Sequence, residues 1–220
     1  IGLTALFGTI GGLVLMLLMF AWFARSLPDP NKIVRHDGFS TKIADREGGT
    51  LYELYQDYNR IPIKIADVPL NLQHATIAIE DKEFYTHQGF STWGMMRGLL
   101  RGLTRGRAQG GSTLTQQLVK NVLLTSERSL PRKFKELVLS LQIEKKFSKE
   151  EILQMYLNEA PYGGTAIGIA AASERYFGIE PKDLTLTQAA ILAGMPQAPS
   201  RYSPYGSDKK AYVARTTAVL

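Results

Sequence analysis

The first 24 residues of the chain carry no charged side chain and run rich in Leu, Met, Phe and Gly. Nothing else in the sequence restricts the fold as severely. About 20 consecutive apolar residues suffice to span the hydrocarbon core of a bilayer, so residues 1–24 are expected to form one transmembrane helix. Trp22 and Phe23 stand at its end, where aromatic rings favour the interface, and Arg25 follows. A cleaved signal peptide fits less well, because its apolar core is typically ~7–15 residues and a small-x-small cleavage site should follow. With no initiator Met and no basic flank, the chain is expected to be trimmed upstream, which leaves the positive-inside rule nothing to act on.

The remainder suits one compact domain with an accessory segment: 25–60 as linker and β-hairpin, then 61–220 as the main domain. A hydrophobic content of 45% supports a packed core. A formal charge of +6 suits anionic partners such as lipid headgroups or pyrophosphate. Nucleic acid is disfavoured, since no zinc-finger, RNP-type or basic-zipper pattern occurs. The absence of cysteine removes disulfides, thiolate metal sites and a Cys nucleophile.

Two prolines within 26–31 mark a linker, and 40–55 reads as a hairpin. Its strands are expected at 41–43 and 51–55, around a turn holding Asp45, Gly48 and Gly49. After Pro69 the pattern turns helical: Leu72, Ala75, Ala78 and Ile79 mark an apolar face, with Glu80 near the C-terminal end. In 91–105, arginines at 97, 101 and 105 alternate with Met95, Met96, Leu99, Leu100 and Leu103. Such a basic, apolar, glycine-bearing stretch suits the membrane interface, with an ordinary solvated helix as the competing reading. Pro131 opens a helix expected to reach about Phe147. Ser148 with Glu151, and Thr185 with Gln188, make capping boxes for two more. The fold is therefore expected to be mainly α with a small β-element.

Three segments carry the chemistry. Residues 80–89 read EDKEFYTHQG, 110–117 read GGSTLTQQ and 132–136 read RKFKE. Two carboxylates on different expected helices can share the handling of proton and charge at one reacting bond, and Glu80 and Glu136 are the catalytic candidates. Phe84 and His87 are placed to desolvate and orient Glu80, which would raise its carboxyl toward a useful value; His87 itself reads more readily as a structural hydrogen-bond partner than as a catalyst. Asp81 either orients the turn or binds substrate. The Gly110-Gly111-Ser112-Thr113 turn opens a helix whose unpaired N–H groups suit an anion such as pyrophosphate, with a plain Gly-Gly turn and a Ser/Thr N-cap as the competing reading. Gln116 and Gln117 suit a sugar, and Lys120 lies one turn beyond Gln116. Arg132 and Lys133 sit beside Glu136 and would neutralise charge on a departing phosphate. No protein cage for a metal is visible, so a divalent cation, Mg or Mn, is expected to be held mainly by substrate pyrophosphate.

These segments match E-D-x-x-F-x-x-H-x-G, G-G-S-T-x-T-Q-Q and R-K-x-x-E, motifs of the peptidoglycan glycosyltransferase family. Lys149, Ile152, Leu153, Tyr156, Leu157 and Asn158 meet a fourth, K-x-x-I-L-x-x-Y-L-N; Arg215, Val219 and Leu220 meet a fifth, R-x-x-x-V-L. Over 61–220 the chain thus resembles the polymerising domain of bifunctional penicillin-binding proteins and monofunctional transglycosylases. Gln154 departs from the pattern, standing where the family often has Glu. The resemblance implies a lysozyme-like catalytic fold with a membrane-associated lobe, anchored by one span in the bacterial plasma membrane with the domain on the extracytoplasmic side. It implies polymerisation of lipid II by inverting transfer of the growing lipid-linked chain onto the 4-hydroxyl of the incoming molecule. Phosphoglycolipids of the moenomycin type would inhibit, and other cell-wall synthesis proteins are possible partners. A lysozyme-like hydrolase and an inactive membrane-anchored scaffold are the rivals. Asp81, Phe84, His87, Ser112, Thr113, Gln116, Gln117, Lys120, Arg132 and Lys133 are the expected substrate-binding residues.

Overall fold

In the structure, a computed structural model, residues 7–8, 10–12, 14, 25, 27–35, 38–91, 94, 111–124, 129–206 and 208–220 are described. Eight helices dominate them: α1 Leu70–Glu80, α2 Leu114–Leu123, α3 Leu130–Lys146, α4 Lys149–Glu159, α5 Ile169–Phe177, α6 Leu186–Gly194, α7 Pro199–Tyr202 and α8 Lys209–Val219. Among the described residues no helix is long and apolar enough to cross a membrane. The expected transmembrane segment lies largely outside them, as does the basic stretch 91–105 that was expected to suit the membrane interface.

The helix starts follow from local chemistry. Ser148 and Thr185 cap α4 and α6 in the expected boxes with Glu151 and Gln188. Ser129 caps α3, with Pro131 in its first turn. A third box, Thr113 with Gln116, opens α2, so the Ser/Thr N-cap weighed at that turn is present and Thr113 supplies it. On α1, Leu72 and Ala75 are buried and Ile79 packs against the core, whereas Ala78 is exposed and Thr76 and Ile77 are buried, so the buried face is turned from the expected one.

The hairpin pairs β1 Thr41–Ala44 with β2 Thr50–Leu54, antiparallel, within one residue of the expected bounds. Asp45 Oδ1 accepts from the Glu47 and Gly49 amides at 2.9 and 2.8 Å and closes its turn. A second sheet was not foreseen. In it β5 Ala166–Ile167 lies between β3 Asn59–Arg60, parallel, and β4 Pro161–Gly163, antiparallel. Strands of two or three residues give too short an alternation to register in sequence.

Two helix groups build the core. One sets α1 on α6 and α6 on α8; the other sets α2 against both α3 and α4. Leu72, Leu114, Leu118, Leu139, Ile143, Ile152, Leu153 and Leu157 are almost completely excluded from solvent there. The turn after α1 joins the groups. Gly89 in that turn has φ +89°, and a Cβ there would lie 2.9 Å from the Ser140 backbone of α3. Only glycine permits both the conformation and the approach.

Candidate active site

Glu80 is the last residue of α1, and its side chain is 4% exposed. Each carboxylate oxygen has its own donor. Arg215 Nη2 donates to Oε1 at 2.5 Å, and Gln117 Nε2 donates to Oε2 at 2.9 Å. Burial raises the carboxyl above its ordinary value, against the opposing pull of the Gln117 hydrogen bond and of the Arg215 and Lys120 charges. The Tyr156 hydroxyl donates to Gln117 Oε1 at 3.4 Å, so the amide is itself held in orientation. Tyr162 is fully buried, and its hydroxyl has no hydrogen-bond partner among the described residues. Burial raises both tyrosines, and the Glu80 charge adds to the effect.

Glu136 occupies the middle of α3 and is 2% exposed. Arg132 Nε lies 3.1 Å from its Oε1 and Lys133 Nζ lies 2.7 Å from its Oε2. Lys133 also donates to Ser112 Oγ at 2.6 Å, tying the start of α2 to α3. The charges of both carboxylates act on Lys120. It sits on α2 one turn after Gln117, and burial lowers its pKa; Glu136 and Glu80 act to raise it, while Arg132 and Lys133 act to lower it. One helix therefore places an amide on Glu80 and a cation within electrostatic reach of both acids.

Glu80, Gln117, Lys120, Ser112, Arg132, Lys133 and Glu136 are brought together in this way. Phe84, His87, Asp81, Thr113 and Gln116 meet protein partners in this arrangement. Phe84 is fully buried and carries Lys149 Nζ over its ring at 4.7 Å. His87 Nε2 and Asp81 Oδ2 are 2.8 Å apart, and the Gly89 amide donates to Nδ1 at 3.1 Å. With Nδ1 accepting, the proton sits on Nε2 and is donated to Asp81. The same Asp81 oxygen accepts from the Leu114 amide at 2.9 Å, so Asp81 and His87 fasten the turn onto α2. Thr113 Oγ1 donates to the Gly89 carbonyl and accepts from the Gln116 amide, while Gln116 answers the Thr113 amide. These five side chains build the ledge on which Gln117 and Lys120 stand.

The fourth motif does the same for the far side of the site. Lys149 Nζ donates to the His87 carbonyl at 2.7 Å and pairs with Glu144, whose other oxygen accepts from Thr115 Oγ1. The Asn158 amide brackets Ile63, accepting from its N–H and donating to its carbonyl at 2.9 Å each. Gln154 Oε1 accepts from the Ile65 amide at 2.8 Å, a bond that needs no charge. Sequence reasoning gave Arg215, Tyr156 and Lys149 no role, although all three lie in the matched motifs. Glu144 and Tyr162 had no signal in local pattern at all.

Among the described residues no cluster of three or more His, Asp or Glu side chains is arranged to hold a metal ion. Glu136, with a cation against each oxygen, is not a donor set that would take a further cation from the protein side.

Comparison with known proteins converges on one family. The sequence profile of the Transglycosylase family matches residues 47–220. Penicillin-binding protein 1F of Bacillus subtilis is 41% identical over 177 residues, covering 80% of this chain and 24% of that protein. Penicillin-binding protein 1A of Pseudomonas aeruginosa is 44% identical over 159 residues, covering 72% of this chain and 19% of that protein. The chain thus spans about a quarter or less of the curated relatives it matches. A crystal structure of penicillin-binding protein 1A from Haemophilus influenzae aligns over 84% of this chain and 18% of that one, at 25% identity. Its TM-score of 0.44 is too low to carry a comparison of folds.

Proposed function

The chain belongs to the transglycosylase family, and from that premise we propose that it is a peptidoglycan glycosyltransferase polymerising lipid II into glycan strands. The observation that carries the reading is the contrast between a buried, doubly oriented Glu80 and the neighbouring Arg132, Lys133, Glu136 cluster, with Lys120 coupled to both. Glu80 is the base. It takes the proton of the acceptor 4-hydroxyl while that oxygen forms its bond to the donor anomeric carbon. The bond from that carbon to the phosphate oxygen breaks, and its electron pair leaves with the lipid pyrophosphate. Arg132, Lys133 and Lys120 meet the charge that develops there, a preorganised electrostatic effect of the kind that dominates many enzymes. A single displacement inverts the anomeric centre.

The uncharged run 1–24 supports placing the enzyme at the bacterial plasma membrane, with the domain on the side where lipid II is polymerised. The protein is incubated in parallel with labelled lipid II and with finished sacculi. Polymer from lipid II and no release from sacculi is the expected outcome; release of fragments from sacculi without polymer would replace this reading with the hydrolase.

A further inference from the structure

Arg215 arrives at the site from the far end of the chain. Its Nε donates to the Gly194 carbonyl at the end of α6 at 3.1 Å, and its guanidinium lies 5.4 Å from the centre of the Tyr202 ring. Its Nη2 is spent on Glu80 Oε1. A Cβ at residue 194 would come within 3.0 Å of Arg215 Cγ, so the glycine leaves the arginine stem its room. The side chain is 15% exposed, hence fixed and largely out of water.

The groups facing Glu80 come from four elements: Gln117 and Lys120 from α2, Tyr156 from α4, Tyr162 from β4 and Arg215 from α8. Two of them are cations, and they are not equivalent. Lys120 is shared with Glu136, and burial favours its neutral form. Arg215 touches the carboxylate directly, and a guanidinium is a more permanent cation than an ammonium. A buried carboxylate without such a neighbour would hold its proton.

We propose that Arg215 is a positioning residue for the base: its anchored guanidinium orients the Glu80 carboxylate and keeps it anionic, ready for the acceptor proton. This rests on Glu80 being the base, and the experiment separates the two ideas. The Glu80 carboxyl carbon is titrated by NMR in isotopically labelled protein, and kcat/KM against pH is measured with labelled lipid II. Wild type is compared with Arg215→Gln, Arg215→Lys and Glu80→Asp.

In Arg215→Gln the titration midpoint moves to higher pH and the acid limb of kcat/KM moves with it. The loss at the acid end then exceeds the loss at the plateau by about tenfold for each pH unit of movement. Arg215→Lys, which keeps the charge, brings both back toward wild type. An unmoved midpoint with the same loss at every pH overturns the proposal while leaving Glu80 as the base. A midpoint that moves while the acid limb stays put overturns both. If Arg215→Gln does not fold, Glu80→Asp decides: it draws the carboxylate back from an intact guanidinium, so its acid limb rises although Asp is ordinarily the stronger acid. An acid limb at or below that of wild type in this variant overturns the proposal.

Discussion

Glu80 and Glu136 are both buried carboxylates within reach of Lys120, yet their surroundings differ in kind. Around Glu80 stand one arginine, one amide and two buried tyrosines, and burial outweighs the cations in setting its proton affinity. Around Glu136 stand two cations from its own helix, one against each oxygen. In the proposed reading the first environment suits a proton acceptor, and the second a positively charged shelf whose carboxylate fixes the bases in place. Two acids of one type are thus given different work by what packs beside them.

Glu80→Gln makes the sharpest break. Loss of a general base typically lowers the rate by ~10²–10⁴-fold, to be read as lipid II polymerised per unit time. The fold should not suffer. Burial raises the Glu80 carboxyl above its ordinary 4.5, so the native protein binds that proton more tightly than the unfolded chain. The resulting stabilisation is complete below about pH 4.5 and is lost as pH rises through the raised native value. The neutral Gln variant should therefore melt no lower than wild type at about pH 7. A lower melting temperature there would mean that the Arg215 pair outweighs desolvation.

Arg132→Ala and Lys133→Ala sharpen the comparison from the other side. Charge-assisted hydrogen bonds contribute about 1.5–3 kcal/mol each, so each variant should weaken binding of a moenomycin-type phosphoglycolipid by roughly tenfold to a hundredfold. Their pH profiles should keep the acid limb of wild type, because the two hydrogen-bond donors on Glu80, Arg215 and Gln117, are left in place. Unchanged inhibitor affinity in both, measured by titration in detergent, would remove the pyrophosphate role.

Where the sequence was legible, one local rule sufficed. Ser148 with Glu151, Thr185 with Gln188 and Pro131 each announce a helix within four residues, and the helices are there. The turn of the hairpin is equally local, closed by Asp45 on its own neighbours. The candidate site was legible only as a set of residue types. Which of them face the reaction depends on partners far along the chain, such as Glu80 with Arg215 or Asn158 with Ile63. Phe84 and His87 share the motif with Glu80, but the turn after α1 folds them inward. Periodicity cannot foresee that, because 81–89 follow neither a helical nor a strand repeat.

The smallest effects test whether the ledge matters beyond its own stability. Thr113 and Thr185 are both N-caps in capping boxes. Thr113 is 2% exposed and also donates to the Gly89 carbonyl at 2.9 Å, whereas Thr185 lies at the surface. Removing a cap costs about 0.5–2 kcal/mol. Thr185→Ala should fall at the low end, since water can replace the lost bond. Thr113→Ala should fall at the high end, because it also strips a buried carbonyl of its donor. The two should differ more in activity than in stability. Thr113 sets the start of α2, and Gln117 and Lys120 ride on that helix, so its loss should lower kcat severalfold; Thr185→Ala should leave kcat unchanged. Equal activity in two folded variants would mean that α2 is held by Asp81 and Lys133 alone, and that the Thr113 cap contributes to stability without placing the site.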